Sequence, residues 1–115
     1  MDIGQIEKAA NRLRSRTFTT PLMSSTILNK LAGRRILLKP ECLQHTGSFK
    51  YRGAFNAISN LSKKELANGV VAYSSGNHAQ GIALAAQQHQ CASVIVMPED
   101  APQLKINNTR RLGSE

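Results

Sequence analysis

An α/β fold with an open, twisted parallel sheet made of βαβ units is what this sequence predicts, and three observations carry the expectation. One plan recurs three times: a short apolar run, a polar loop, then a stretch of helical length. The apolar runs are short and rich in β-branched residues, as in Val94-Ile95-Val96, which suits strands buried on both faces. The second polar loop, Ser74-Ser75-Gly76-Asn77-His78, follows the carboxyl end of its strand and opens a helix. That is where ligands of open α/β sheets bind.

In chain order, Ile3, Ile6, Ala10 and Leu13 recur at helical spacing and predict an amphipathic helix over 2–14, packed on another element. Thr20-Pro21-Leu22 breaks it and starts an extended segment. A short helix is expected over 25–31, stopped by Gly33. The repeated plan then gives a strand over 35–39 with a helix over 48–61, a strand over 70–73 with a helix over 78–89, and a strand over 92–97 with a helix over 103–112. Gly113 follows the last helix, where the next strand should begin. The expectation is therefore a sheet cut off after its third strand, against the alternative of a complete small three-layer domain. On that expectation residues 1–34 form a helical and extended segment, 35–115 an incomplete α/β region, and the remainder of the fold is absent.

The 115 residues are enough for one small domain with a core, and a hydrophobic content of 41% fits a globular protein. No apolar run approaches membrane-spanning length, and no basic segment followed by an apolar one opens the chain, so neither a span nor a signal peptide is expected. Cys42 and Cys91 lie far apart without metal-ligand spacing and read as reduced, cytoplasmic, core or near-core residues. The net charge of +8 raises the possibility of a nucleic-acid module. The cations are scattered in ones to threes, however, and aromatics make up only 4%, so stacking platforms are scarce. A basic balance also suits anionic small ligands, or a piece of a larger protein whose acidic share lies elsewhere.

Two stretches carry chemistry. In Thr46-Gly47-Ser48-Phe49-Lys50-Tyr51-Arg52-Gly53-Ala54, Gly47 permits a turn and Ser48 is a good helix cap. Lys50 then falls in the first turn of a helix, where the positive end of the macrodipole disfavours a cation. That position, with partial burial, favours a neutral amine able to act as a nucleophile. From spacing alone the plainer reading of Lys50 is an exposed lysine beside a loop. In the Ser74–His78 stretch, free helix N–H groups, two hydroxyls, an amide and an imidazole could hold a carboxylate or phosphate, with Gly76 letting the backbone come close. The plainer reading is a turn with Ser75 as cap. Gly76 and Gly81 have a phosphate-loop gap, but Ile82-Ala83 follow where Lys-Ser/Thr is needed. No Gly-x-Gly-x-x-Gly, Gly-x-Ser-x-Gly or zinc pattern is present.

Together the two stretches are far more specific than either alone. Residues 39–54 resemble the cofactor-lysine motif of the fold-type II pyridoxal-phosphate enzymes, whose fold is of the tryptophan synthase β kind, and most resemble the threonine dehydratase and serine racemase branch. Ser74-Ser75-Gly76-Asn77-His78-Ala79-Gln80-Gly81 resembles that branch's substrate-carboxylate loop, and Met97-Pro98-Glu99-Asp100-Ala101-Pro102 with Lys105 and Thr109-Arg110 resembles its next stretch. The resemblance implies that Lys50 holds pyridoxal 5'-phosphate covalently and acts as base on the α-proton. Phe49 would pack beside the cofactor and Asn77 would bond its ring oxygen. Ser74, Ser75, Gly76 and His78 would hold the substrate carboxylate, with Ser75 also the acid/base of the opposite face. The sequence departs from the family at His45, where a proline is common, and has no match to its Gly-rich phosphate loop.

The expected function is thus a lyase of hydroxyamino acids such as threonine or serine, acting by α-proton abstraction and β-elimination of the hydroxyl. Serine racemase or 3-hydroxyaspartate dehydratase on the same scaffold is one alternative, and a non-catalytic truncated piece another. Expected partners are a small amino acid and, at full length, further copies of the chain, with no metal, nucleic acid or membrane.

Overall fold

One βαβ unit makes the centre of the molecule. Strands β1 (Val70–Tyr73) and β2 (Ser93–Val96) pair in parallel, with Val70 opposite Ser93 and Tyr73 opposite Val96, and helix α5 (Asn77–Gln88) connects them. This is read from a computed structural model that describes residues 2–115. Four further helices precede the unit and one follows it: α1 (Ile3–Leu13), α2 (Thr26–Ala32), α3 (Lys50–Ile58), α4 (Lys63–Asn68) and α6 (Gln103–Arg111).

The core sits where α3 crosses α5. On α3 the buried residues Tyr51, Ala54, Phe55 and Ile58 recur at i, i+3, i+4 and i+7, one face of a helix. On α5 nearly every residue from Ala79 to Ala86 is buried, and most are alanine or glycine, so the two helices approach closely. Ile82, Cys91 and Ile95 complete the cluster. Tyr51 is fully buried, with its hydroxyl donating to Gln88. Burial pushes that hydroxyl's pKa up, while the Gln88 contact opposes the shift.

Most of the predicted elements are present. Asp2 caps α1, and Leu13 packs against the core while Ile3 and Ile6 remain exposed, so α1 is packed at its carboxyl end. Arg12 adds a bond from its guanidinium to Asn56 Oδ1 at 3.0 Å. Ser25 caps α2, and Gly33, in the left-handed conformation with φ 63°, ends it as expected. After α6 the chain turns at Gly113; Glu115 then donates to Ser93 O at 3.1 Å and accepts from Ile95 N–H at 2.7 Å. Alternate groups of a parallel strand face alternate neighbours. Since Ala92 and Val96 carbonyls serve β1, Glu115 lies on the other edge of β2, where the next strand was expected.

Four expectations are corrected. Residues 35–39 are not a strand of the sheet: Leu38 gives its backbone N–H and C=O to Met23 in an isolated antiparallel bridge instead. The sheet therefore has two strands. Those strands are buried on one face only. Ser93 and Ile95 are buried and Val70 and Ala72 half-buried, while Val71, Tyr73, Val94 and Val96 are exposed, because α5 covers one side. Helix α4 was not anticipated; Ser62 and Glu65 form a reciprocal capping box at its start. Finally, Cys91 is buried but Cys42 is exposed, since it lies in a surface turn.

Candidate functional site

The lysine stretch is shaped before α3 begins. Two single-turn 3-10 helices, Glu41–Leu43 and His45–Gly47, are followed by Ser48 in an extended conformation. Thr46 and Gly47 both take left-handed backbone, with φ 57° and 70°. Glycine does so freely; for a β-branched residue the conformation costs roughly 1–2 kcal/mol, and such strain clusters at functional sites. The reversal brings buried Ser48 back so that its Oγ accepts from Lys50 N–H at 3.3 Å. Phe49, not the expected Ser48, occupies the cap position of α3, it makes no side-chain cap bond, and Lys50 is the first residue of the helix.

Lys50 is exposed rather than partly buried. A helical side chain leans towards the helix N-terminus, so at the first position it runs back past Phe49 and away from the buried stripe that starts at Tyr51. Its ammonium lies 4.7 Å from the centroid of the Phe49 ring, which is itself 58% exposed.

An ion pair fixes the start of α3. Arg52 clasps Glu41 with Nε to Oε2 at 2.7 Å and a second nitrogen to Oε1 at 2.8 Å, a bidentate arrangement. The same guanidinium reaches Thr17 Oγ1 and Phe18 O. Thr20 donates to Glu41 at 2.6 Å and accepts from Lys39 at 2.7 Å. Gln44 closes the strap by exchanging two hydrogen bonds with the backbone of Phe18. The Arg52 bonds, aided by Thr20 and by the charge of Lys39, pull the Glu41 carboxyl down to about 2, against the opposing effect of burial. Arg52 is correspondingly held above its ordinary value, chiefly by the bond to Glu41.

The second loop is joined to this structure from behind. Ser74 N–H donates to Val96 O at 3.1 Å, anchoring the loop to β2, and Ser74 Oγ accepts from Gly76 N–H at 3.2 Å. Gly76, not Ser75, occupies the cap position of α5, and no side chain caps the helix. The N–H groups of its first turn are therefore not taken by a side chain. Ser75 and His78 are exposed, and neither side chain makes a hydrogen bond among the described residues. Asn77 Oδ1 accepts from Lys105 Nζ at 2.8 Å, a partner from α6.

Gly81 sets the distance between the two loops. A Cβ there would lie 3.2 Å from Lys50 C and from Tyr51 N, and 3.3 Å from Lys50 O, all backbone atoms. The first turn of α3 thus meets α5 at Gly81, with Asn77 one turn back along α5. The structure brings Phe49 to Lys50, Ser74 to Gly76, and Asn77's helix to Lys50, and it leaves Ser75 and His78 without side-chain partners here. Sequence reasoning gave no role to Glu41, Arg52 or Lys105. The first two are visible only as unlike charges eleven residues apart, a spacing that no helix or strand period favours.

These residues suit a cofactor with an aldehyde, a ring oxygen and anionic groups. Lys50 offers an accessible amine, Asn77 an amide, and α5 an unclaimed N-terminus. Among the described residues three buried polar atoms, Thr46 Oγ1, Gln80 Nε2 and Thr109 Oγ1, have no protein partner, and the elements of the first two pack together just ahead of Lys50. A bound polar ligand meets such unpaired groups.

Comparison with known proteins bears on the same residues. The sequence model of the family described as pyridoxal-phosphate dependent enzymes matches residues 13–115. An L-threo-3-hydroxyaspartate ammonia-lyase of a Pseudomonas species is 51% identical over 93% of this chain and 34% of its own length. The L-threonine ammonia-lyase of Thermotoga maritima is 50% identical over 96% of this chain and 27% of its own. Among solved structures, serine racemase from Dictyostelium discoideum superposes with a TM-score of 0.95 at 40% identity, over 99% of this chain and 38% of that one. The chain therefore spans about a third of the length of these relatives.

Proposed function

This chain belongs to the pyridoxal-phosphate-dependent enzyme family, and on that premise we propose that it forms the lysine-bearing part of an ammonia-lyase of hydroxyamino acids. The observation that supports the reading is the close approach of Gly81, one turn into the helix that the Ser74–His78 stretch opens, to the backbone of Lys50.

Pyridoxal phosphate, when bound, supplies the electron sink that makes loss of the α-proton feasible. Lys50 Nζ would hold the cofactor, and as a free amine it would take the α-proton. Phe49 would pack beside the cofactor and Asn77 would donate to its ring oxygen. Backbone N–H groups at the start of α5, with Ser74, Ser75, Gly76 and His78, hold the substrate carboxylate. The β-hydroxyl leaves as water, and hydrolysis of the dehydrated product releases ammonia and a 2-oxo acid. Threonine, serine and 3-hydroxyaspartate all carry the required hydroxyl.

One observation favours a racemase as the second reading. The Ser75 side chain is exposed and free of hydrogen-bond partners among the described residues, so its Oγ could return a proton from the face opposite Lys50. A non-catalytic piece is the reading that remains if neither activity is found. On the proposed function the protein works in the cytoplasm on a free amino acid, as a homo-oligomer when the whole family fold is present, with residues 35–115 as the cofactor- and substrate-binding region.

The test is product analysis of the longest polypeptide carrying this sequence, loaded with pyridoxal phosphate. Equal amounts of 2-oxo acid and ammonia from L-threonine, L-serine or L-threo-3-hydroxyaspartate support the lyase. D-serine from L-serine without 2-oxo acid assigns it as a racemase. Turnover of none of them overturns both.

A further inference from the structure

Asn77 is an amide whose two ends do opposite things. Its oxygen accepts and its nitrogen donates, and a rotation of the side-chain amide exchanges them. On the function proposed above, on which this inference rests, Asn77 must present the nitrogen to an electron-rich ring oxygen. Nothing on α5 itself enforces that choice: Asn77 is exposed, and its helix has no side-chain cap.

The choice is made from another element. Lys105, in the first turn of α6, brings its Nζ within 2.8 Å of Asn77 Oδ1. An ammonium has three donors and no acceptor, so it can meet only the oxygen end of an amide. Rotating the amide would set two donors against each other. We propose that Lys105 is a positioning residue for the cofactor site: it pins the Asn77 amide with Oδ1 outward and Nδ2 free to donate to an anionic ring oxygen. Its positive charge also favours an anionic ligand beside it. Lys105 is half-buried, which limits the conformations open to its long side chain. The contact joins α6 to α5 across 28 residues of sequence. The order of the region after β2 is thereby coupled to the state of the cofactor loop.

The experiment is a double-mutant cycle on the cofactor-loaded protein, read by pyridoxal-phosphate affinity and by the visible absorption of the Lys50 adduct. Lys105→Met should weaken cofactor binding about tenfold, the size expected for a lost hydrogen bond involving a charged group, and should shift the absorption in the same direction as Asn77→Ala. In the Asn77→Ala background Lys105→Met should then do almost nothing, since its target is gone. Lys105→Arg, still a pure donor, should restore most of the affinity. Melting temperatures of all variants separate loss of fold from loss of positioning, and Lys105→Arg carries the test if Lys105→Met unfolds.

Two full and additive losses, or an unchanged affinity in Lys105→Met, overturn the inference. Both results leave the functional reading in place, because that reading fails on a different control, survival of covalent attachment in Lys50→Ala. Trapping of the cofactor on Lys105 itself would also overturn the inference, by making Lys105 an attachment site rather than a positioning group.

Discussion

Removing the charge of Glu41 should destabilise the fold in a pH-dependent way. The Glu41 carboxyl titrates at about 2 in the fold against an ordinary 4.5, with the bidentate bonds from Arg52 as the largest cause. The difference of roughly 2.5 units corresponds to about 3 kcal/mol at ~1.36 kcal/mol per unit. The folded pKa is depressed, so this stability is fully present above the unfolded value and is lost as pH falls from 4.5 through about 2. At pH 3 the linkage leaves on the order of 1.4 kcal/mol. Only 16% of the Glu41 side chain is exposed, so solvent screening removes little of this. The assay is urea unfolding of the parent and of Glu41→Gln at pH 7 and pH 3. The gap between them should be about 3 kcal/mol at pH 7 and about half of that at pH 3. A gap below about 0.5 kcal/mol at pH 7, the size of an ordinary surface pair, would show that the Glu41–Arg52 pair does not support the fold in this way. So would a gap that does not narrow with acid.

Two further substitutions test the packing. Gly81→Ala places a methyl 3.2–3.3 Å from backbone atoms of Lys50 and Tyr51, none of which is the end of a flexible side chain. Overpacking of about 1–3 kcal/mol should outweigh the roughly 1 kcal/mol that alanine gains in a helix, lowering the melting temperature and loosening cofactor attachment; an equally stable variant that attaches cofactor normally would show that α3 and α5 are not held at this contact. Ser62→Ala removes one half of the α4 capping box and should cost about 1 kcal/mol in thermal unfolding without touching cofactor binding; a loss of binding would mean that α4 supports the site.

The elements that sequence periodicity located were those whose pattern is set locally. Strands β1 and β2, helix α5 and the glycine stop of α2 follow from apolar runs, turn residues and one left-handed glycine. The strand expected over 35–39 failed for a non-local reason: an apolar run does not reveal which neighbour takes its backbone bonds, and here Met23 takes those of Leu38. The two-sided burial expected of Val94-Ile95-Val96 failed similarly, because coverage depends on which elements pack on each face. Helix α4 did leave a local signal in Ser62-x-x-Glu65, too short to show helical periodicity. At the site, Lys50 and the Ser74–His78 loop were legible as motifs. Their supports, Glu41 with Arg52 and Lys105 with Asn77, were not, because each is a side-chain contact across a loop or between helices. The close approach at Gly81 was equally hidden, since a helical glycine looks the same whether it packs on backbone or faces solvent.

On the proposed function Lys50, alone among the many amines of this chain, holds the cofactor, and this assignment decides the rest. It is tested most directly by mixing the protein with pyridoxal phosphate, reducing with borohydride and mapping the modified lysine. Saturable labelling at Lys50, absent from Lys50→Ala, is the expected result. Labelling scattered over other lysines, or attachment that survives in Lys50→Ala, would contradict it.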